Sequence, residues 1–259
     1  MTHSTDPQLE EALAAIERGE HDHARALAAE VLRRDPGDDD AREIVSLSGR
    51  GLGELRRLTL MFADLVGSTA LSERHDPEAY GELLRRYQTV CRDAVEQRHG
   101  GVVVRRIGDG ILATFGHPVA HEDDTARAVR AGLELCRRID AIGDETEAEF
   151  GERLAVRVAV HRGLVLLDLV EQELFGAAPN LASRLQDLAA PGTVVISDEV
   201  LELVDGEFES SPRPPEPLKG IARLVAHHVV GGPTSSPGRH HLPTPFVGRA
   251  RRTATASSR

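Results

Sequence analysis

Lysine is almost missing from this chain. Lys219 is the only one, and the other thirty of the 31 basic residues are arginine. Where a composition writes Arg for every plain positive charge, a retained Lys marks a place that needs a compact ammonium; chance survival of one lysine is the competing explanation. Cysteine is also scarce. Cys91 and Cys136 are the only two, both fall inside helical patterns and neither is part of a C-x-x-C unit, so buried free thiols are expected rather than a disulfide or redox pair. Positive charge is not in excess: the formal net charge of −11 argues against direct nucleic-acid binding. No apolar stretch approaches the roughly 18 residues that a membrane span needs. The N-terminus, Met1-Thr2-His3-Ser4-Thr5-Asp6, lacks the basic and apolar blocks of a secretory signal. A cytoplasmic protein with no membrane partner is the expectation. A Gly-x-x-x-x-Gly-Lys-Ser/Thr phosphate loop does not occur either.

What is present falls into three parts. Residues 1–54 hold a helical segment in which Leu9, Leu13, Ile16 and then Ala24, Leu27, Ala28, Val31, Leu32 recur at helical steps. This predicts a hairpin of two short helices, stopped by Asp35-Pro36-Gly37-Asp38. It looks like one tetratricopeptide-type repeat, which cannot bury its own face and is expected to pack on the main domain or on a second copy. Residues 55–230 read as the main domain, with strands at 58–63, 101–106, 111–115, 154–161, 164–170, 193–196 and 223–230. Helices are expected at 67–74, 77–99, 122–141, 178–189 and 198–203, and the proline-rich run 205–217 as a loop. The β-αα-ββ-αβ order predicts an α/β (α+β) fold of ferredoxin-like type, a mostly antiparallel sheet with helices on one face. Residues 231–259 read as a Pro/Gly/Ser linker followed by Thr244-Pro245-Phe246-Val247-Gly248-Arg249. Those six residues resemble the opening of the ATPase module behind bacterial signalling domains, which leads us to expect a fragment or truncated copy of a longer regulator.

Two motifs carry chemistry. Asp64 ends the apolar run that begins at Leu58, within Phe62-Ala63-Asp64-Leu65-Val66-Gly67-Ser68-Thr69. Asp109 lies in Ile107-Gly108-Asp109-Gly110 between two apolar strands, so a β-hairpin should present it at its tip. One Asp at a strand end is usually a cap or turn residue. Two at neighbouring strand ends can hold divalent metal against a triphosphate. The amides of Gly67, Ser68 and Thr69 open a helix and can cradle phosphate. Asn180 and Arg184 lie four apart near a helix start and face one way. Taken alone that pair would be a cap and a solvent-facing charge.

Together these motifs resemble the catalytic domain of the class III adenylate and guanylate cyclases, over about residues 56–230. The resemblance implies two Mg2+ or Mn2+ ions per site, held by Asp64, Asp109 and the backbone carbonyl at Leu65. It implies Asn180 on the ribose, Arg184 on the phosphate in the transition state, and Lys219 on the terminal phosphates. It also implies a homodimer with its sites at the interface, the metal carboxylates from one subunit facing Asn180, Arg184 and the base readers of the other. The base-reading positions are Arg105, where adenylate cyclases usually carry Lys, and Glu173, where they commonly carry Asp. Both keep the charge sign, and guanylate cyclases typically show Glu and Cys there, so ATP is the expected substrate and cyclic AMP the product. A guanylate cyclase and a catalytically weak nucleotide-sensing domain are the alternatives. No Gly-Gly-Asp/Glu-Glu-Phe signature of a dinucleotide-forming cyclase occurs. His161 in His161-Arg162-Gly163 reads as structural, and His121-Glu122-Asp123-Asp124 as a helix start.

Overall fold

The computed structural model describes residues 6–48, 53–168, 173–218 and 224–234. Helices α1 (Pro7–Glu17), α2 (His21–Arg34) and α3 (Asp39–Ser48) come first, so the expected hairpin gains a third helix. It escaped the pattern reading because its apolar positions, Ala41, Ile44 and Leu47, are few and follow an acidic run. The three helices bury an apolar cluster that continues into the sheet at Leu55, Leu164 and Leu166.

Then follow β1 (Glu54–Leu65), α4 (Ser68–Arg74), α5 (Pro77–Arg92), β2 (Val102–Ile107), β3 (Gly110–Phe115), α6 (Asp124–Ala141) and α7 (Gly143–Phe150). After them come β4 (Val156–Leu167), β5 (Leu174–Phe175), α8 (Ala177–Asp187), β6 (Val194–Ser197), α9 (Asp198–Val204), β7 (Phe208–Pro217) and β8 (Leu224–Pro233). The sheet runs β2-β3-β1-β4-β6-β8-β7 with β5 beside β4. Among the described residues only the β4–β6 pairing is parallel. Among the described residues no helix is long and apolar enough to cross a membrane.

Side chains alternate along β1, as the strand period requires. Met61, Ala63 and Leu65 enter the main core with α5 and α6. Leu58, Leu60 and Phe62 point the other way, onto Ala178 and Ala182 of α8. Helices therefore cover both faces, not one. α8 is the helix the one-face expectation missed, and it carries Asn180 and Arg184.

Two further expectations fail for identifiable reasons. The strands expected at 154–161 and 164–170 are one, because β4 pairs with β1 without interruption from Val156 to Leu167. Gly163 serves close packing instead: a Cβ there would stand 2.7 Å from Ala178 Cβ. The run 205–217 is mostly the edge strand β7, paired with β8 through two irregularities in register. Proline is tolerated on an edge because the outward N–H groups have no ladder partner to lose. α5 ends at Arg92 and continues as one π-helical turn, Asp93–Arg98, close to the expected end of the long helix.

Candidate active site

The site grows from the last residues of β1. Asp64 shares the parity of Leu60 and Phe62, so its side chain lies on the α8 side of the sheet. Its cross-strand neighbour on β4 is Arg157. Beyond Leu65, the Val66 amide donates to the Ala155 carbonyl at 2.9 Å, holding the strand end in place. Gly67 then adopts φ +74°, the left-handed region, and the chain turns into α4. Ser68 is buried and Thr69 is exposed. α4 has only seven residues, so its dipole is short.

Asp109 arrives on the β2–β3 hairpin. Ile107 pairs with Gly110, leaving Gly108-Asp109 as a two-residue tip with Gly108 at φ +64°. Gly110 is favoured by close contact rather than by φ. A Cβ there would stand 3.2 Å from Asp64 Oδ1 and 3.4 Å from Phe62 Cζ. Its absence lets the hairpin close onto Asp64.

The two carboxylates strain one another. Burial first, then the Asp109 charge and a side-chain hydrogen bond with Asp109, push the Asp64 carboxyl up from 3.8 to about 7. Asp187, at the end of α8, adds to the rise, and Arg157 opposes it. Oδ2 of Asp109 is buried without a hydrogen-bond partner. Burial and the same two acids raise the Tyr80 phenol as well. Hard carboxylate oxygens, mutual repulsion and an orphaned acceptor are what a divalent cation would satisfy. The pair is a minimal one. Among the described residues no group of three or more His, Cys, Asp or Glu side chains stands ready for a metal. Backbone carbonyl, water and substrate oxygens would have to complete a coordination shell.

Arg105 and Glu173 meet each other. They come from β2 and from the residue before β5, 68 positions apart, and form a hydrogen-bonded ion pair. Both side chains are 44% exposed. β2 changes register between Val103 and Arg105, and such irregularities re-aim a side chain. The pair lines an open groove together with Phe62, Asn180 and Ser183. Asn180 and Arg184 are exposed on α8, and Arg184 pairs with Asp187 at 3.8 Å. Among the described residues, then, one chain brings Asp64 to Asp109 and Arg105 to Glu173, but pairs neither Arg105 nor Arg184 with the two acids. Lys219 lies outside the described residues.

Among the described residues, motif reading missed Arg157, Asp187, Tyr80 and Tyr87 as neighbours of the acid pair. Only the β1–β4 register could have revealed Arg157, since its charge counts because it stands opposite Asp64. His161 was expected to be structural. It is buried, and its Nδ1 lies 2.9 Å from Ser197 Oγ. Although burial works against it, hydrogen bonds with His161 and Ser197 hold the Glu199 carboxyl well below the usual range.

Known proteins share this fold. The family model for the adenylate and guanylate cyclase catalytic domain matches residues 53–231. An adenylate cyclase of Streptomyces coelicolor is 33% identical over 196 residues, which cover 76% of this chain and 42% of that protein. The chain thus spans less than half the length of the curated relatives it matches. The crystal structure of the adenylyl cyclase CyaB from P. aeruginosa superposes with a TM-score of 0.65 at 25% identity, covering 71% of this chain and all of that one. The guanylyl cyclase Cya2 gives 0.66 at 27% identity, over 71% of this chain and 95% of its own. By sequence and by fold, the chain belongs to the class III adenylate and guanylate cyclase catalytic domains.

Proposed function

We propose that this domain converts ATP to 3′,5′-cyclic AMP and pyrophosphate, for cyclic-nucleotide signalling, as a homodimer that uses Mg2+ or Mn2+, two ions per site. The observation that carries the reading is the pair of partly buried, mutually repelling carboxylates at Asp64 and Asp109. These two side chains, with the Leu65 carbonyl, would hold the cations. Bound metal supplies positive charge that acidifies the ribose 3′-hydroxyl and steadies the leaving pyrophosphate.

The chain's own residues do the rest. Asn180 hydrogen-bonds the ribose and keeps its 3′-oxygen in line with the α-phosphorus. Arg184 donates to the phosphate as charge builds in the transition state. Amides of Gly67, Ser68 and Thr69 offer donors to the phosphates, and Lys219 an ammonium to the terminal ones. Arg157 adds positive charge beside the acids and offsets part of the triphosphate's repulsion. Because Asn180 and Arg184 are exposed and pair with neither Asp64 nor Asp109 of their own chain, a second subunit can present its copies of them to these two acids.

The base is read by Arg105 and Glu173. Glu173 accepts from the adenine amino group and Arg105 donates to a ring nitrogen. Guanine would set a carbonyl against the Glu173 carboxylate with no proton between them. The ion pair between the two readers supports a second reading as well, a catalytically weak nucleotide-sensing domain, since a self-satisfied pair must open before a base can bind. Purified protein with Mn2+ and either ATP or GTP, read by mass spectrometry of the cyclic product, separates them. Cyclic AMP from ATP well above cyclic GMP from GTP is expected. Preference for GTP overturns the base assignment, and nucleotide binding without turnover favours the sensing domain.

A further inference from the structure

α8 carries Asn180 and Arg184, yet its own sequence does not cap it. The residue before it is Gly176, with φ +134° and no side chain, and its first turn holds no acid. A helix start leaves its first amides without intrahelical partners, and a local Ser, Thr, Asp or Asn normally accepts from one. Here the acceptor comes from 134 residues earlier: Ala177 N donates to Glu43 Oε1 at 2.9 Å. Glu43 belongs to α3. Burial pushes its carboxyl up, and the Ala177 amide pulls it back toward the charged form. The contact leaves little slack. A Cβ on Gly176 would stand 2.9 Å from the Leu164 carbonyl, 3.4 Å from Glu43 Oε1 and 3.6 Å from Leu47 Cδ1. α3 is itself fixed, because Ala41, Ile44 and Leu47 sit in the cluster that includes Leu55, Leu164 and Leu166 of β1 and β4.

We propose that Glu43 is a positioning residue: the N-terminal helices supply, from α3, the missing cap of α8 and thereby fix where Asn180 and Arg184 stand. This rests on the cyclase reading for its effect on rate, but not for its effect on the helix. Asn180 lies one turn from the capped amide and Arg184 two turns. Loosening the first turn shifts both side chains relative to the phosphate and ribose of the nucleotide they would meet. Arg184 acts in the transition state, so the loss falls on kcat rather than KM.

The test uses the full chain as parent, Glu43→Ala and Glu43→Gln. Gln keeps an acceptor at the same reach, whereas Ala removes it. Hydrogen exchange over residues 177–181 should speed up in Glu43→Ala, with β1 and β4 unchanged, and return toward the parent in Glu43→Gln. With Mn2+–ATP, kcat should drop about tenfold in Glu43→Ala, the factor matching a cap of ~1.4 kcal/mol, with KM within about twofold and recovery in Glu43→Gln. Unchanged exchange at 177–181 in Glu43→Ala overturns the proposal. So does a kcat loss that Gln fails to recover. A parent without cyclase activity overturns the proposed function instead, and the exchange result then decides alone whether Glu43 anchors α8.

Discussion

Two pairs of charged side chains border the α8 side of the sheet, and they are opposites. Asp64 and Asp109 carry like charges, are partly buried and leave an acceptor orphaned. Arg105 and Glu173 carry unlike charges, are half exposed and satisfy each other. An exposed ion pair costs little to keep and little to open, since solvent screens it. A buried like-charged pair costs stability unless something positive arrives. The first pair would be relieved by the cation proposed above. The second can open at little cost, as the proposed reading of a base would require.

The contrast can be broken most severely at the acids. Asp64→Ala and Asp109→Ala should each abolish cyclase activity while the fold, read by circular dichroism and thermal unfolding, persists. Activity within about tenfold of the parent, equivalent to only ~1.4 kcal/mol, would contradict the metal assignment. Mixing inactive Asp64→Ala with inactive Arg184→Ala chains should then restore activity, because one interfacial site would combine the intact half of each. Heterodimers that form but stay inactive would remove the interfacial site. At the second pair the effect should be smaller. Arg105→Lys should keep or raise turnover of ATP without creating turnover of GTP. The acceptor clash at Glu173 is worth ~1–3 kcal/mol, roughly five- to two-hundred-fold against guanine. Loss of ATP turnover in Arg105→Lys would mean this residue does not read the base.

The smallest effect is a pH slope. Free of metal, Asp64 titrates at about 7 instead of 3.8, so between those values the folded chain holds a proton that the unfolded chain has released. Stability should fall as pH rises through that window and level off above about 7. Thermal unfolding in EDTA should show a shallower slope for Asp64→Asn than for the parent. Mn2+ at pH 8 should raise the parent's midpoint more than the variant's. Identical slopes would mean that the acids do not strain each other.

The acid pair was legible in the sequence because local rules put it there: an apolar strand that ends in Asp, and a glycine-flanked hairpin tip. The Asn180–Arg184 spacing was legible for the same reason, through helix periodicity. Arg157, Asp187, Tyr80 and Glu43 were not, since each matters through a partner far along the chain. Glu43 reads as one more acid of a charged helix until α3 is laid beside Gly176. Gly163 misled because glycine signals a turn or a close approach equally well, and here Ala178 decides for the second. The prolines of β7 misled similarly, because a proline-rich run reads as loop unless the segment lies on an edge.

Those prolines bear on how copies of the chain can meet. Pro212, Pro214, Pro215 and Pro217 give β7 four positions with no N–H to offer, and from Ser211 to Pro217 its side chains stand in solvent. A neighbouring molecule that tried to extend the sheet along this border would find acceptors without matching donors. Crowded copies are thus denied one easy route to fibrils.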